Sequence, residues 1–112
     1  MIMLKEGVDV RGLHDKCWDA VYKIESVYTQ NGTPLVITSG RDGKHSRGSF
    51  HYIGLAFDIR TRNLPDGVDI NRIVSEIKVL IGPEYDLILH DTHIHIEYDP
   101  RRLLYEIAMF TK

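Results

Sequence analysis

The sequence predicts an α+β fold, with a small mixed or antiparallel sheet that carries helices on one side. Two segments show the apolar spacing of amphipathic helices, and several short segments show the alternation of strands. Two of those strands are separated by only three residues, 90–92, which indicates a direct hairpin rather than a doubly wound parallel sheet. The length of 112 residues, with 43% apolar and 27% charged, is typical of one domain, 1–112.

The first half of the chain supplies one helix and two strands. Apolar residues recur at three- and four-residue steps between 11 and 30, which predicts a helix that ends at Asn31-Gly32. Leu35, Val36 and Ile37, followed by Thr38, predict a short buried strand. Residues 55–60 alternate, so a second strand buries Leu55, Phe57 and Ile59 and carries Asp58 on its other face.

The second half supplies a helix, a hairpin and a closing helix. The apolar spacing from Ile70 to Ile81 predicts a helix that begins after Asp69 and stops at Gly82-Pro83. Residues 85–89 and 93–97 predict the two strands of the hairpin. Asp99-Pro100 is typical of a helix start, so we expect Leu103, Leu104 and Ile107 to lie on a closing helix.

Composition excludes several classes of function. The formal net charge of −2 and the isoelectric point near 6.3 leave no excess of positive charge for nucleic acid. Cys17 is the only cysteine, so a disulfide framework and thiolate zinc sites are excluded, and any metal must be held by nitrogen and oxygen. The N-terminal residues do not resemble a secretory signal, and no segment has the length of a membrane span. We expect a cytoplasmic monomer with no membrane partner, which would reach an extracellular target only by lysis or another export route.

A long polar loop and a histidine cluster are candidates for the functional site. Residues 39–53 contain three glycines, and a loop of this length in a small domain is more often functional than accidental. On the last strand, His93 and His95 share one face with Asp91 and Glu97, opposite the apolar face. His51 lies seven positions before Asp58, on the loop that leads into its strand, so two histidines and Asp58 can converge as the ligand set of a catalytic zinc site. The alternative interpretation is a solvated polar edge, which is the commoner explanation of an isolated His-x-His.

Two motifs together resemble a known family. Ser49-x-His51-x-x-Gly54-x-Ala56-x-Asp58, followed by His93-x-His95, is similar to the pattern of the zinc D-Ala-D-Ala metallopeptidases, whose fold is shared with the hedgehog signalling domain. That family includes D,D-carboxypeptidases, dipeptidases and the L-alanyl-D-glutamate endopeptidases of phage lysis. Ser39-Gly40-Arg41 also resembles the family's upstream region, and the similarity runs over residues 8–100.

The resemblance implies a role for each matching residue. It makes His51, Asp58 and His95 the zinc ligands, with His93 as a donor to the oxyanion of the tetrahedral intermediate. It assigns Arg41 to a carboxylate or carbonyl of the substrate, and Ser49 to a hydrogen bond near the first ligand. The expected substrate is a peptidoglycan stem peptide or another peptide ending in D-Ala, hydrolysed by metal-activated water.

The general base is where the sequence departs from the family pattern. Thr92 stands where many relatives have an acid three positions before the last ligand. Asp91 is the preferred candidate, with His90 and Glu97 as alternatives, and Glu97 could instead orient a histidine ligand. This departure keeps open a catalytically silent zinc domain with a binding or assembly role. We expect Cys17 in the core, and His14 and His45 at the surface.

Overall fold

The computed structural model describes residues 1–43, 45 and 47–101. Its elements, in chain order, are β1 (Ile2–Leu4), α1 (Asp15–Gln30), β2 (Leu35–Ser39), a 3₁₀ helix (Phe50–Ile53), β3 (Ala56–Arg60), α2 (Ile70–Ile81), β4 (Tyr85–Leu89) and β5 (His93–Tyr98). The five strands form one sheet in the order β1-β2-β3-β5-β4. The β1–β2 pair is parallel and the other pairs are antiparallel, so the sheet is mixed and the predicted α+β class is confirmed.

The helix α1 has the predicted apolar stripe but begins later than residue 11. Gly12 has a φ of +71°, which a helix cannot continue, and the Nδ1 atom of His14 accepts a hydrogen bond from the Lys16 amide at 3.0 Å as the N-cap. Cys17 lies fully buried on the stripe, as expected. The helix ends at Asn31, followed by Gly32 with a φ of +74°.

The helix α2 has the predicted bounds. The side chain of Asp69 accepts a hydrogen bond from the Asn71 amide at 3.0 Å, so Asp69 is the N-cap. Gly82 has a φ of +90° and ends the helix before Pro83. Neither of the helices in the described part of the chain combines enough length with enough apolar character to cross a bilayer.

The strands include one that the sequence did not predict. The three-residue strand β1 pairs with β2 at the edge of the sheet, from Ile2 opposite Leu35 to Leu4 opposite Ile37. The predicted hairpin is confirmed as the antiparallel β4–β5 pair. Pro100 and Arg101 are helical, and the rest of the predicted closing helix lies outside the described residues.

The two faces of the sheet have different compositions. One hydrophobic cluster joins the buried residues of both helices to one face of the strands, and that face includes Phe57, Ile59, Ile94 and Ile96, all fully buried. The helices therefore cover this face, as predicted. Because successive strand residues alternate, the polar residues of β3 and β5 lie on the opposite face.

Candidate metal centre

Two adjacent strands position the first two side chains of the site. In the antiparallel β3–β5 pair, Asp58 lies directly opposite His95. Opposite residues on one face of an antiparallel pair have Cβ atoms about 4.5–5.5 Å apart. The hydrogen-bonded sheet thus brings together two residues that are 37 positions apart in the chain.

The loop between β2 and β3 positions the third side chain, His51, on its 3₁₀ helix. The hydroxyl oxygen of Ser49 accepts a hydrogen bond from the His51 amide at 3.2 Å and caps this helix. Gly54 ends it with a φ of +77°, and a Cβ atom there would collide with the carbonyl oxygen of Gly12. The His51 residue is only 2% exposed, so the loop holds its ring against the sheet.

Three atoms converge at the centre of this arrangement. The Nε2 atom of His51 lies 3.2 Å from the Oδ1 atom of Asp58 and 3.1 Å from the Nδ1 atom of His95. The Nδ1 atom of His95 lies 3.0 Å from the same Oδ1 atom. These three residues form a group that could hold a metal ion.

The outer nitrogen of each ring shows that lone pairs point to the centre. The Nδ1 atom of His51 lies 2.7 Å from the carbonyl oxygen of Gly40, which can only accept, so this nitrogen carries the hydrogen. The Nε2 atom of His95 lies 2.8 Å from the Oε1 atom of Glu97 and donates to it in the same way. The inner nitrogens of neutral His51 and His95 are therefore acceptors that face a carboxylate oxygen. Three converging acceptors require a proton or a cation between them.

The spacing of these atoms suits a small metal ion. With bonds of about 2.0–2.1 Å, two ligand atoms are about 3.3 Å apart in a tetrahedron and about 3.0 Å apart at right angles. The observed separations of 3.0–3.2 Å lie between these values. The three residues thus fit a divalent ion without rearrangement of the sheet.

The protonation of the site reflects the same contacts. Burial opposes ionisation of Asp58, but the contacts with His51 and His95 outweigh burial and hold the pKa of the carboxyl well below its usual range. Burial also opposes a charge on His95, yet hydrogen bonds to Asp58 and Glu97 raise the pKa of its imidazole above 6.5. In the metal-free protein, the raised pKa of His95 favours the proton that the converging acceptors require.

His93 lies beside the centre on the same face of β5. Its Nε2 atom is 3.8 Å from the Oδ2 atom of Asp58, and its Nδ1 atom is 3.0 Å from the Thr92 hydroxyl. Burial lowers the pKa of His93, and repulsion by the neighbouring histidines adds to this shift, although Asp58 partly opposes it. His93 therefore lies next to the candidate ligands without being one of the three converging atoms.

Two of the residues assigned by sequence lie away from the centre. Arg41 is exposed, and its Nη1 atom lies 3.4 Å from the carbonyl oxygen of Arg11 in the N-terminal segment. Asp91 is exposed in the β4–β5 turn, because β5 begins only at His93. Asp91 lines a neighbouring cavity together with Arg62 and Asp66.

The converging atoms lie in an open cavity of about 580 Å³. Its lining includes all three candidate ligands, together with Ser49, His90, His93 and Glu97. His90 stacks on His93 with ring centroids 4.6 Å apart. Of the three candidates for the general base, His90 and Glu97 line this cavity.

His45 belongs to this site, contrary to the expectation of a solvated loop residue. It is half-buried, lines the same cavity, and stacks on His51 with ring centroids 3.9 Å apart. No pattern in the sequence indicates this contact, because it depends on how the loop folds back on itself. The orienting role proposed for Glu97, by contrast, follows from its place on the same strand face as His95.

Comparison of the chain with protein-family models and with curated proteins gives no match.

Proposed function

We propose that this protein is a zinc-dependent peptidase that hydrolyses a D-amino-acid-containing peptide bond of bacterial peptidoglycan. One observation carries the proposal: the donor atoms of His51, Asp58 and His95 lie within 3.2 Å of one another. These are the residues that the resemblance to the D-Ala-D-Ala metallopeptidases makes the zinc ligands. A motif match by chance would not require this convergence.

The donor set favours zinc among the common biological cations. Magnesium and calcium prefer oxygen ligands, whereas two imidazoles and a carboxylate suit zinc, with a position left for substrate. The same three ligands also bind iron(II) in oxygenases, and the sequence motifs favour zinc over iron. A bound zinc ion would acidify a water molecule and polarise a carbonyl group.

His93 is suited to stabilise negative charge on the substrate oxygen. Its lowered pKa favours the neutral imidazole at pH 7, and its ring lies at the cavity wall beside Asp58. A neutral imidazole N–H can donate a hydrogen bond to a developing oxyanion. This position agrees with the role that the resemblance gives to His93.

The proton acceptor is best sought at His90. Its ring lines the cavity and has no side-chain hydrogen bond to any residue in the described ranges, whereas Glu97 already accepts from His95. Replacement of a general base lowers turnover by about 10²–10⁴-fold. We expect His90→Gln to show this loss with zinc content unchanged. If Asp91→Asn causes the loss instead, the proton acceptor is the residue that the sequence alone favours.

A catalytically silent zinc domain is the second candidate. The position of Asp91 outside the cavity supports it, as does the use of the Glu97 carboxylate to hold His95. Such a domain would keep the metal centre for binding or assembly. It would bind zinc as tightly as the proposed peptidase does and would not hydrolyse peptides.

Metal analysis and muropeptide digestion together test the proposal. The purified protein should contain one zinc per chain, release products from muropeptides, lose this activity with a chelator and regain it with added zinc. Product masses will show whether the bond is cut at the end of the stem peptide or within it. Stoichiometric zinc without products would support the silent domain, and a protein that binds no zinc would refute both candidates.

A further inference from the structure

His51 is the one candidate ligand that the sheet does not hold. Asp58 and His95 lie in register on hydrogen-bonded strands, whereas His51 lies on a four-residue 3₁₀ helix within a long loop. Strand pairing therefore fixes the separation of the first two donors. The third donor depends on contacts made by the loop itself.

The contact with Gly40 does not by itself define the plane of the His51 ring. The hydrogen bond from Nδ1 to the Gly40 carbonyl fixes which edge of the ring faces the sheet. The ring turns about its χ1 and χ2 torsions, and a hydrogen bond to a carbonyl oxygen tolerates a broad range of angles, so this bond restricts the torsions only loosely. A second contact, on the flat face of the ring, restricts the plane further and hence the direction of the Nε2 lone pair.

His45 provides that contact. Its ring is nearly parallel to the His51 ring, with an interplanar angle of 8° and ring centroids 3.9 Å apart. Rings stacked in this way bury part of each other's flat face. The His45 ring covers one face of His51, in agreement with the 3% exposure of the His51 side chain.

His45 is itself held from several sides. Its Nε2 atom lies 2.8 Å from the carbonyl oxygen of Asp42 and 3.3 Å from the Ser39 hydroxyl. The Tyr52 hydroxyl accepts from the His45 amide at 2.6 Å and donates to the His45 carbonyl at 2.9 Å. The Tyr52 ring also meets the His45 ring edge-on, with centroids 5.6 Å apart. A ring held in this way can hold its neighbour.

We propose that His45 is a positioning residue that fixes the ring plane of His51 by stacking and thereby sets the metal affinity of the site. The inference rests on metal binding at this site and not on peptide hydrolysis. Groups that orient a metal ligand from outside the coordination sphere typically contribute 10–100-fold to metal affinity. Here the contribution comes from the flat ring surface of His45 rather than from its nitrogen atoms.

Two substitutions separate the ring from its hydrogen bond. His45→Phe keeps a flat ring over His51 and loses the contacts of the Nε2 atom. His45→Asn keeps a polar group that can bond to the Asp42 carbonyl and loses the ring. The affinity of each full-length variant for Zn²⁺ is measured by competition with a chelator at pH 8. Visible absorption of the Co²⁺ form reports the coordination geometry, and melting of the metal-free protein reports stability.

We expect His45→Asn to bind Zn²⁺ 10–100-fold more weakly than the wild type and to show weakened Co²⁺ bands. His45→Phe should stay within about fivefold of the wild type, which is less than the 10–100-fold expected for loss of an orienting group. The inference is overturned if His45→Asn binds within twofold of the wild type, or if the two variants are equally weak. Failure of the wild type to bind Zn²⁺ would instead refute the proposed function.

Discussion

The pH dependence of metal binding follows from the two carboxylates that flank His95. The Nδ1 atom of this histidine lies 3.0 Å from Asp58, and its Nε2 atom lies 2.8 Å from Glu97. Both contacts favour the imidazolium, so the pKa of His95 is raised above 6.5 despite burial. A metal ion at the site must displace the proton on Nδ1.

The size of the effect follows from this exchange of one proton for one metal ion. Below the raised pKa of His95, each fall of one pH unit should lower the metal affinity tenfold. This corresponds to about 1.4 kcal/mol of binding free energy. Above that pKa, the affinity should be independent of pH. The stability of the metal-free protein has the opposite trend: the protonated His95 stabilises the fold fully below pH 6.5, and this contribution is lost as the pH rises through the higher folded-state pKa.

Glu97→Gln tests whether the Glu97 carboxylate contributes to the raised pKa of His95. The amide oxygen can still accept from His95, but the negative charge is removed, so the pKa of His95 falls and the break in the affinity profile moves to lower pH. The affinity at pH 8 should also fall about tenfold, because the ligand becomes less basic. Glu6→Gln, at an exposed position, is the matched control and should leave the profile unchanged.

Isothermal titration with Zn²⁺ in buffers of different ionisation enthalpy measures the number of protons released. We expect one proton per zinc well below the pKa of His95 and none well above it. A release of zero across pH 5–7 would refute the protonation that we assign to His95. A release of two at the acid end would mean that a second group at the site loses a proton when the metal binds.

Three further substitutions test the placement of the site and the core. Asp58→Asn removes a charged ligand and should lower the zinc affinity, measured by chelator competition, at least 100-fold. Asp19→Asn, at an exposed position, is the control and should leave the affinity unchanged. Gly54→Ala should lower the free energy of unfolding in urea by about 1–3 kcal/mol or more, because a side chain there is strained and collides with backbone; an unchanged midpoint would contradict the structure. Ile94→Ala should cost about 2–5 kcal/mol in the same assay. Ile88→Ala removes a half-exposed side chain from the other face and should lower the free energy of unfolding by about 0.5 kcal/mol or less. Equal losses for the two isoleucines would mean that the faces of the sheet are wrongly assigned.

The elements that could be predicted from sequence are those with strong periodicity. The helix α2 has the predicted bounds because Asp69 and Gly82 mark both of its ends as cap residues. The predicted start of α1 was wrong because Leu13 continues the apolar spacing of the helix, whereas Gly12 before it has a positive φ. The strand β1 was missed because three residues are too few to show a period of two.

At the candidate site, too, the features that follow from local periodicity could be predicted and those that depend on tertiary structure could not. The shared face of Asp58, His93 and His95 was predictable, since alternation along a strand determines it. The stacking of His45 and the outward position of Arg41 were not, because both depend on the tertiary path of the loop between β2 and β3. Asp91 was assigned to the same face as His95 on the assumption of an early strand start, and β5 begins two residues later.

If the site binds a metal ion as proposed, the pairing of Asp58 with His95 across β3 and β5 also links metal supply to the lifetime of the folded chain. A slip of one residue in this pairing would move one ligand to the opposite face, so only the native register presents both donors together. An ion that binds only the native state stabilises it by about 4 kcal/mol when its free concentration is a thousand times the dissociation constant. Metal-starved cells would therefore hold a larger unfolded fraction of this protein, and proteases would remove that fraction first.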